Sequence, residues 1–274
     1  MTQIILPEKI SIKDKKNNNY EVVIEPFYPG FGETIGNSLR RVLLSYLDGA
    51  AVTSFKIDGA QHEFDSIEYV KEDLIEIMLN LKLLRLKSFS TQPVRLSLEA
   101  KGEKTVTAAD IKKNSDVEII NKDLVIATLT DKSAKISMEV IVEQGRGYVT
   151  VEQRDETKKL EIGQVAIDAS FSPVLNVGFK MDNVRVGEMT NYEKLTMNIL
   201  TDGTTDAKEA ISQAAVILQD HFNVFINSSD AVEEKETAKE DKKSAKKTIK
   251  KTTKVKADKS SSAKATDDKE EEEK

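Results

Sequence analysis

The 274 residues contain no cysteine and no tryptophan, only two histidines and five prolines. Without cysteine there is no disulfide, no thiolate zinc site and no sulfur nucleophile, and a cytoplasmic chain is the simplest reading. No apolar run approaches the ~18–20 residues that a bilayer crossing needs, so no membrane partner is expected. The start, MTQIILPEKISIKDKK, lacks a basic segment followed by an apolar stretch and a small-residue cleavage site, which argues against secretion. Phosphate loops of the GxxxxGK type, HExxH zinc helices and GxSxG elbows are also missing. No cofactor and no catalytic residue is expected.

What is present is a chain 39% hydrophobic and 32% charged, enough for one large domain or two medium ones with real cores. The formal charge of −6 is unevenly spread. From Ser229 to Lys274 there are 14 Lys against 13 acidic residues, which leaves 27 basic and 34 acidic in the body. A body with that excess of acid has no general attraction for nucleic-acid phosphates.

Residues 229–274 differ in kind from the rest. Val232, Ile249 and Val255 are their only large apolar residues, too few to offset the entropy of ordering, so this segment reads as a disordered Lys/Glu-rich tail. Its Lys242–Lys259 stretch, KKSAKKTIKKTTKVKADK, precedes an acidic run from Asp267 to Glu273.

Three helices are predicted in the body. Over Thr34–Leu47, the positions Ile35, Leu39, Val42, Leu43, Tyr46 and Leu47 follow the three-to-four spacing of one buried face. Thr34 or Glu33 would cap this helix and Gly49 would stop it, while Gly30, Gly32 and Gly36 imply a tight turn or a close backbone approach. A second stretch covers Val70–Leu81. The last, from about Ala207 to Phe225, carries Ile211, Ala215, Leu218, Phe222 and Phe225 at alternating steps of four and three, a seam suited to a partner helix. Asp206 and Glu209 are spaced for a reciprocal cap at its start.

Alternating runs supply the strands. Val94, Leu96 and Leu98 share a face, as do Ile136, Met138, Val140 and Val142, then Val165, Ile167 and Ala169, then Leu195, Met197 and Ile199. Short strands with turn signals such as Gly145–Gly147 predict antiparallel sheets, and the class is α+β.

Candidate polar sites are few. His62 and His221 are better read as structural and interface residues than as proton-transfer groups. Glu63, Asp65, Glu68, Glu72 and Asp73 could be imagined around a metal, but a solvated helix N-terminus accounts for them more simply. Arg40 and Arg41 stand about 100° apart on the first helix, beside its aliphatic stripe. They fit a solvated face or a protein interface equally well.

Six blocks in order carry a specific resemblance: EPFYPGFGETIGNSLRRVLLSYLDG, VKEDLIEIMLNLK, TAAD, GRGY, IDASFSPV and DGTTDAKEAISQAAVIL. Over roughly residues 4–226 the chain resembles the amino-terminal assembly region of the bacterial RNA polymerase alpha subunit. That resemblance implies a homodimer. Its dimerisation domain, of antiparallel sheet plus two helices, spans 1–48 and 174–228 and is interrupted by a mostly-β insert over 49–173. It implies beta-subunit docking through Arg40, Arg41 and Leu44, and beta-prime docking through Lys82 and the Ile167–Val174 strand, including Ile167 and Val174. The dimer interface would use Ile35, Leu39, Leu43, Ile211, Leu218, Phe222 and Phe225.

No counterpart of the family's usual carboxy-terminal DNA-binding domain is expected after Ser229, where no apolar periodic segment follows. Contact with DNA is therefore expected through the assembled complex. Lys246, Lys247, Lys250 and Lys251 offer either a weak, sequence-independent phosphate contact or a merely solubilising segment. An unrelated dimeric β-rich binding protein is the alternative reading of the whole chain.

Overall fold

The computed structural model describes residues 4–155, 161 and 163–227. The N-terminal part contains β1 (Lys9–Asp14), β2 (Asn19–Phe27), α1 (Phe31–Ser45), β3 (Asp48–Ile57) and α2 (Leu74–Lys82). After them come β4 (Leu86–Ser88), β5 (Val94–Lys101), β6 (Lys104–Thr107), β7 (Val117–Ile119), β8 (Val125–Leu129) and β9 (Lys135–Arg146). The chain continues through β10 (Tyr148–Val149), α3 (Val151–Asp155), β11 (Gln164–Ala166), β12 (Ala169–Ser170), β13 (Val174–Val186) and β14 (Met189–Thr201). A last helix, α4, covers residues 207–227. The class is α+β, with antiparallel pairing throughout the named strands.

Strands from the two ends of the body share a sheet. Its order is β1-β2-β14-β13, so segments more than 150 residues apart in sequence lie side by side, as in the pairing of Tyr20 with Ile199. One face buries Val22, Ile24, Val177, Leu195, Met197 and Ile199 under Leu39, Val42 and Leu43 of α1 and Ala207, Ala210 and Ala214 of α4. Small alanines on α4 let its backbone come close to the sheet, while Leu43, with no exposed surface, fills the space beneath α1.

The intervening segment builds its own sheet, in the order β5-β9-β3-β4-β7 with β11 added on β3. The predicted alternation holds: Val94, Leu96 and Leu98 face the same core as Met138, Val140 and Val142. The central strand β3 also buries Thr53 and Ser54. Buried hydroxyls need partners, and here the Thr53 hydroxyl donates to the Ile141 carbonyl at 3.4 Å while Ser54 Oγ accepts from Gln164 at 2.6 Å. A short 3₁₀ turn over Ala108–Asp110 is closed by a reciprocal cap between Thr107 and Asp110.

Several local expectations give way to longer-range contacts. Residues 70–73 do not join α2, because Val70 bridges Leu129 and Lys71 N–H donates to the Thr128 carbonyl; Asp73 then caps the helix by accepting from Glu76 N–H at 2.7 Å. Gly49 does not stop α1. It lies inside β3, paired with Gly145 of β9, and an added Cβ there would stand 1.7 Å from the Phe171 carbonyl oxygen. A Cβ on Gly145 would meet the Phe171 ring at 2.8 Å. The Gly145–Gly147 stretch is accordingly not a hairpin: β9 ends at Arg146, Gly147 turns at φ +64°, and β10 pairs with β12. Asp206 and Glu209 form no reciprocal cap; Asp206 accepts from the Tyr20 hydroxyl and Glu209 from the Gln213 amide.

Candidate docking surfaces

The outer surface of α1 begins with an unusual start. Gly30 occupies the cap position at φ +86°, where glycine avoids the Cβ penalty, and contributes no side chain. Neither Thr34 nor Glu33 caps the helix: the Thr34 hydroxyl donates back to the Gly30 carbonyl at 3.2 Å. Instead the Glu193 carboxylate, from β14, accepts from the N–H groups of Gly30 and Gly32 at 2.8 and 3.0 Å. A carboxylate there satisfies orphan donors and sits favourably at the helix dipole. Gly32 and Gly36 face Met181 and Leu195, the close approach their spacing implied.

Beyond this anchored start, Arg40 and Arg41 are both exposed, but they differ. Arg40 donates to Asn37 at 3.2 Å and lies 6.0 Å from the centre of the Phe179 ring. The Arg41 guanidinium makes no hydrogen bond or ion pair among the described residues. Leu44 is half-buried, and its carbonyl accepts from the Ser172 hydroxyl at 2.9 Å. Arg41 and Leu44, three positions apart, lie on one side of the helix.

A second surface gathers around Lys82, at the end of α2. Its ammonium lies 3.3 Å from the Tyr148 hydroxyl, 3.8 Å from an Asp168 oxygen and 5.1 Å from the Tyr148 ring centre. Asp168 in turn accepts from the Tyr148 hydroxyl at 2.8 Å and from Val151 N–H at 2.9 Å. The Val151 N–H chiefly, with the Tyr148 hydroxyl and the Lys82 charge behind it, holds the Asp168 carboxyl below the usual range. The result is a half-exposed charged cluster that fixes the Lys82 head group.

Ile167 and Val174 do not join this cluster. Ile167 is 1% exposed inside the six-stranded sheet's core, and Val174 is 3% exposed in the core beneath α1. Nor is 167–174 one strand: only Ala169 and Ser170 are extended before β13 begins at Val174. Direct side-chain docking by Ile167 and Val174 is therefore corrected. The groups that this segment presents to solvent are Asp168, Ser170 and Ser172.

The seven expected dimer residues fall into three sets. Leu39 and Leu43 are buried in the chain's own core, which corrects their assignment as partner-facing groups. Ile35, Ile211 and Leu218 are half-buried at its edge. Phe222 and Phe225 are 59% and 73% exposed, accompanied by exposed Val224 and Ile226. Ala215, expected in the same seam, is exposed, while Ala210 and Ala214 one position earlier take the core face.

The carboxylates after His62 have separate local tasks. Asp65 accepts from the N–H groups of Gln61 and His62, which hold its carboxyl below the usual range, and meets His62 Nε2 at 3.0 Å. Glu72 binds the Thr128 N–H and hydroxyl. Among the described residues no group of three or more His, Asp or Glu is placed to hold a metal, and no helix is long and apolar enough to cross a membrane. Lys246, Lys247, Lys250 and Lys251 lie outside the described residues.

Glu193 and Phe171 are among the residues that local patterns miss. Each acts on an element remote in sequence, and neither carries a local signal.

Comparison with known proteins agrees with this architecture. A family profile described as the RNA polymerase Rpb3/RpoA insert domain matches residues 55–172, which include every strand of the six-stranded sheet except most of β3. Proteins named DNA-directed RNA polymerase subunit alpha from the Langeland and Okra strains of Clostridium botulinum are each 44% identical over 237 residues, covering 86% of this chain and 75% of theirs. The alternative of an unrelated binding protein is left without support. The chain belongs to the bacterial DNA-directed RNA polymerase alpha-subunit family, and it is an alpha subunit of that enzyme.

Proposed function

We propose that this subunit serves transcription in the cytoplasm as a non-catalytic homodimeric scaffold on which the beta and beta-prime subunits assemble. The division of labour we infer assigns dimerisation to residues 1–48 with 174–228 and an inserted domain to 49–173. Two separate cores support this division, with β3 beginning at Asp48 and β13 at Val174. DNA is met through the complex.

The observation that carries the reading is the apolar end of α4. A run of Phe222, Val224, Phe225 and Ile226 exposed on one helix is costly in water, and two or three such side chains covered by a second protomer contribute roughly 1.5–3 kcal/mol each. For beta, the docking group is Arg41, an exposed guanidinium beside the half-buried Leu44, which matches the arginine-and-aliphatic character of protein interfaces. For beta-prime, the fixed ammonium of Lys82 offers an oriented charge.

The test is capture of beta by the tagged full chain. Arg41→Ala is expected to keep the dimer, since α4 is untouched, and to lose most beta recovery. Loss of the dimer with beta binding retained would show that the roles are wrongly assigned.

A further inference from the structure

The six-stranded sheet holds a cavity of about 570 Å³ whose lining includes neither Arg41 nor Lys82. That size falls within the roughly 300–1,000 Å³ of small-molecule sites. Its floor is apolar: Leu96 of β5, Ala108, Ile111 and Val117 of β7 line it and are otherwise buried in the core. Phe89 stands at the mouth with 63% of its surface exposed, held in place by its N–H donating to the Asp116 carbonyl at 2.8 Å.

The rim is basic. Lys112 is already engaged by Glu99 at 2.7 Å. The Lys113 and Lys122 ammonium groups, by contrast, are exposed and make no ion pair or hydrogen bond among the described residues. Glu118 is the one carboxylate in the lining. Against a body with 34 acidic and 27 basic residues, this is a local reversal of sign over an apolar hollow.

We propose that this cavity binds a small organic anion with an apolar body, an aryl or short acyl group carrying a carboxylate, phosphate or sulfonate. The apolar part displaces water from the floor between Phe89 and Ile111. The acid group stays at the mouth, hydrated, between Lys113 and Lys122, so no charge is buried without a partner. The acidic run Asp267–Glu273 of the same chain matches the rim in charge but has no apolar side chain for the floor.

The test uses the full chain with methyl-labelled Ile, Leu and Val, titrated with anilinonaphthalene sulfonate and separately with uncharged N-phenylnaphthylamine. Saturable NMR shifts are expected at Leu96, Ile111, Val117 and Ile119, with Ile10 and Ile12 of β1, in the other sheet, as references. The anionic probe should bind more tightly than the neutral one. Lys113→Glu with Lys122→Glu should weaken it about tenfold, and Lys113→Arg with Lys122→Arg should restore it. Ala109→Trp, at an exposed lining position, should abolish binding; it decides the matter alone if the charge-reversed variant does not fold. Equal binding of the two probes, indifference to charge reversal, or shifts confined to the reference methyls would overturn the proposal. So would tighter binding after the acids of Asp267–Glu273 are changed to amides, which would identify that run as the occupant.

Discussion

Phe171 shows how one side chain can decide what its distant neighbours must be. Its ring and carbonyl lie against the Gly49–Gly145 pair so closely that neither glycine has room for a methyl group. Gly49→Ala is expected to lower stability to chemical denaturation by at least about 1–3 kcal/mol through overpacking against backbone, with Gly178→Ala, in open space and outside the left-handed region, as the control. An unchanged denaturation midpoint would contradict this packing. Sequence alone shows Gly49 two residues past an amphipathic run, where a helix stop is the natural inference; the contact with Phe171 spans more than 120 residues and leaves no local trace.

Asp168 gives a prediction of a different kind. Its carboxyl is held below the ordinary range by the Val151 N–H first, then the Tyr148 hydroxyl and Lys82. The unfolded chain therefore binds this proton more readily than the folded one. The stabilisation is present above the unfolded value, near pH 4, and fades as pH falls through the lower folded value. Comparing wild type with Asp168→Asn by denaturation should show a difference at neutral pH that shrinks below about pH 4. Because the group is partly exposed, the difference should be modest and weaken with salt.

At the scale of elements, the hydrophobic period is a good guide to what exists and a poorer guide to where it ends. The strands around Leu96, Met138 and Met197 fall on the faces their alternation predicts, because one side of each sheet is covered. The start of α1 is fixed by Glu193 on another element, and the start of α2 by strand-like contacts of Val70 and Lys71. Helix α4 shows a similar limit: Ala210 and Ala214 face the core, while Ile211 and Ala215, one position later, are half-buried and exposed. Leu39 and Leu43 were legible as a buried face, but a period cannot say whether a face is buried against the same chain or another. In this chain they fill its own core.

On the scale of the whole molecule, topology explains why a scaffold can be read here at all. The two ends of the body meet in one sheet, and the long segment between them forms a second sheet with its own core. The groups we propose for docking that stay accessible, Arg41 and Lys82, stand on helices anchored by polar contacts to other elements. The resemblance carried by six ordered motifs points to these surfaces. It could not show that Ile167 and Val174 point inward, because inward and outward positions on an irregular segment have no period to read.

The most direct test of the scaffold is sedimentation of the full chain at micromolar concentration, alone and with beta, for wild type and for Leu218→Asp with Phe222→Asp. The wild type should sediment as a dimer and bind beta, whereas the variant should be a folded monomer by circular dichroism that fails to assemble. A wild-type chain that stays monomeric, or a double variant that still dimerises, would contradict the proposal that α4 joins two copies of this subunit.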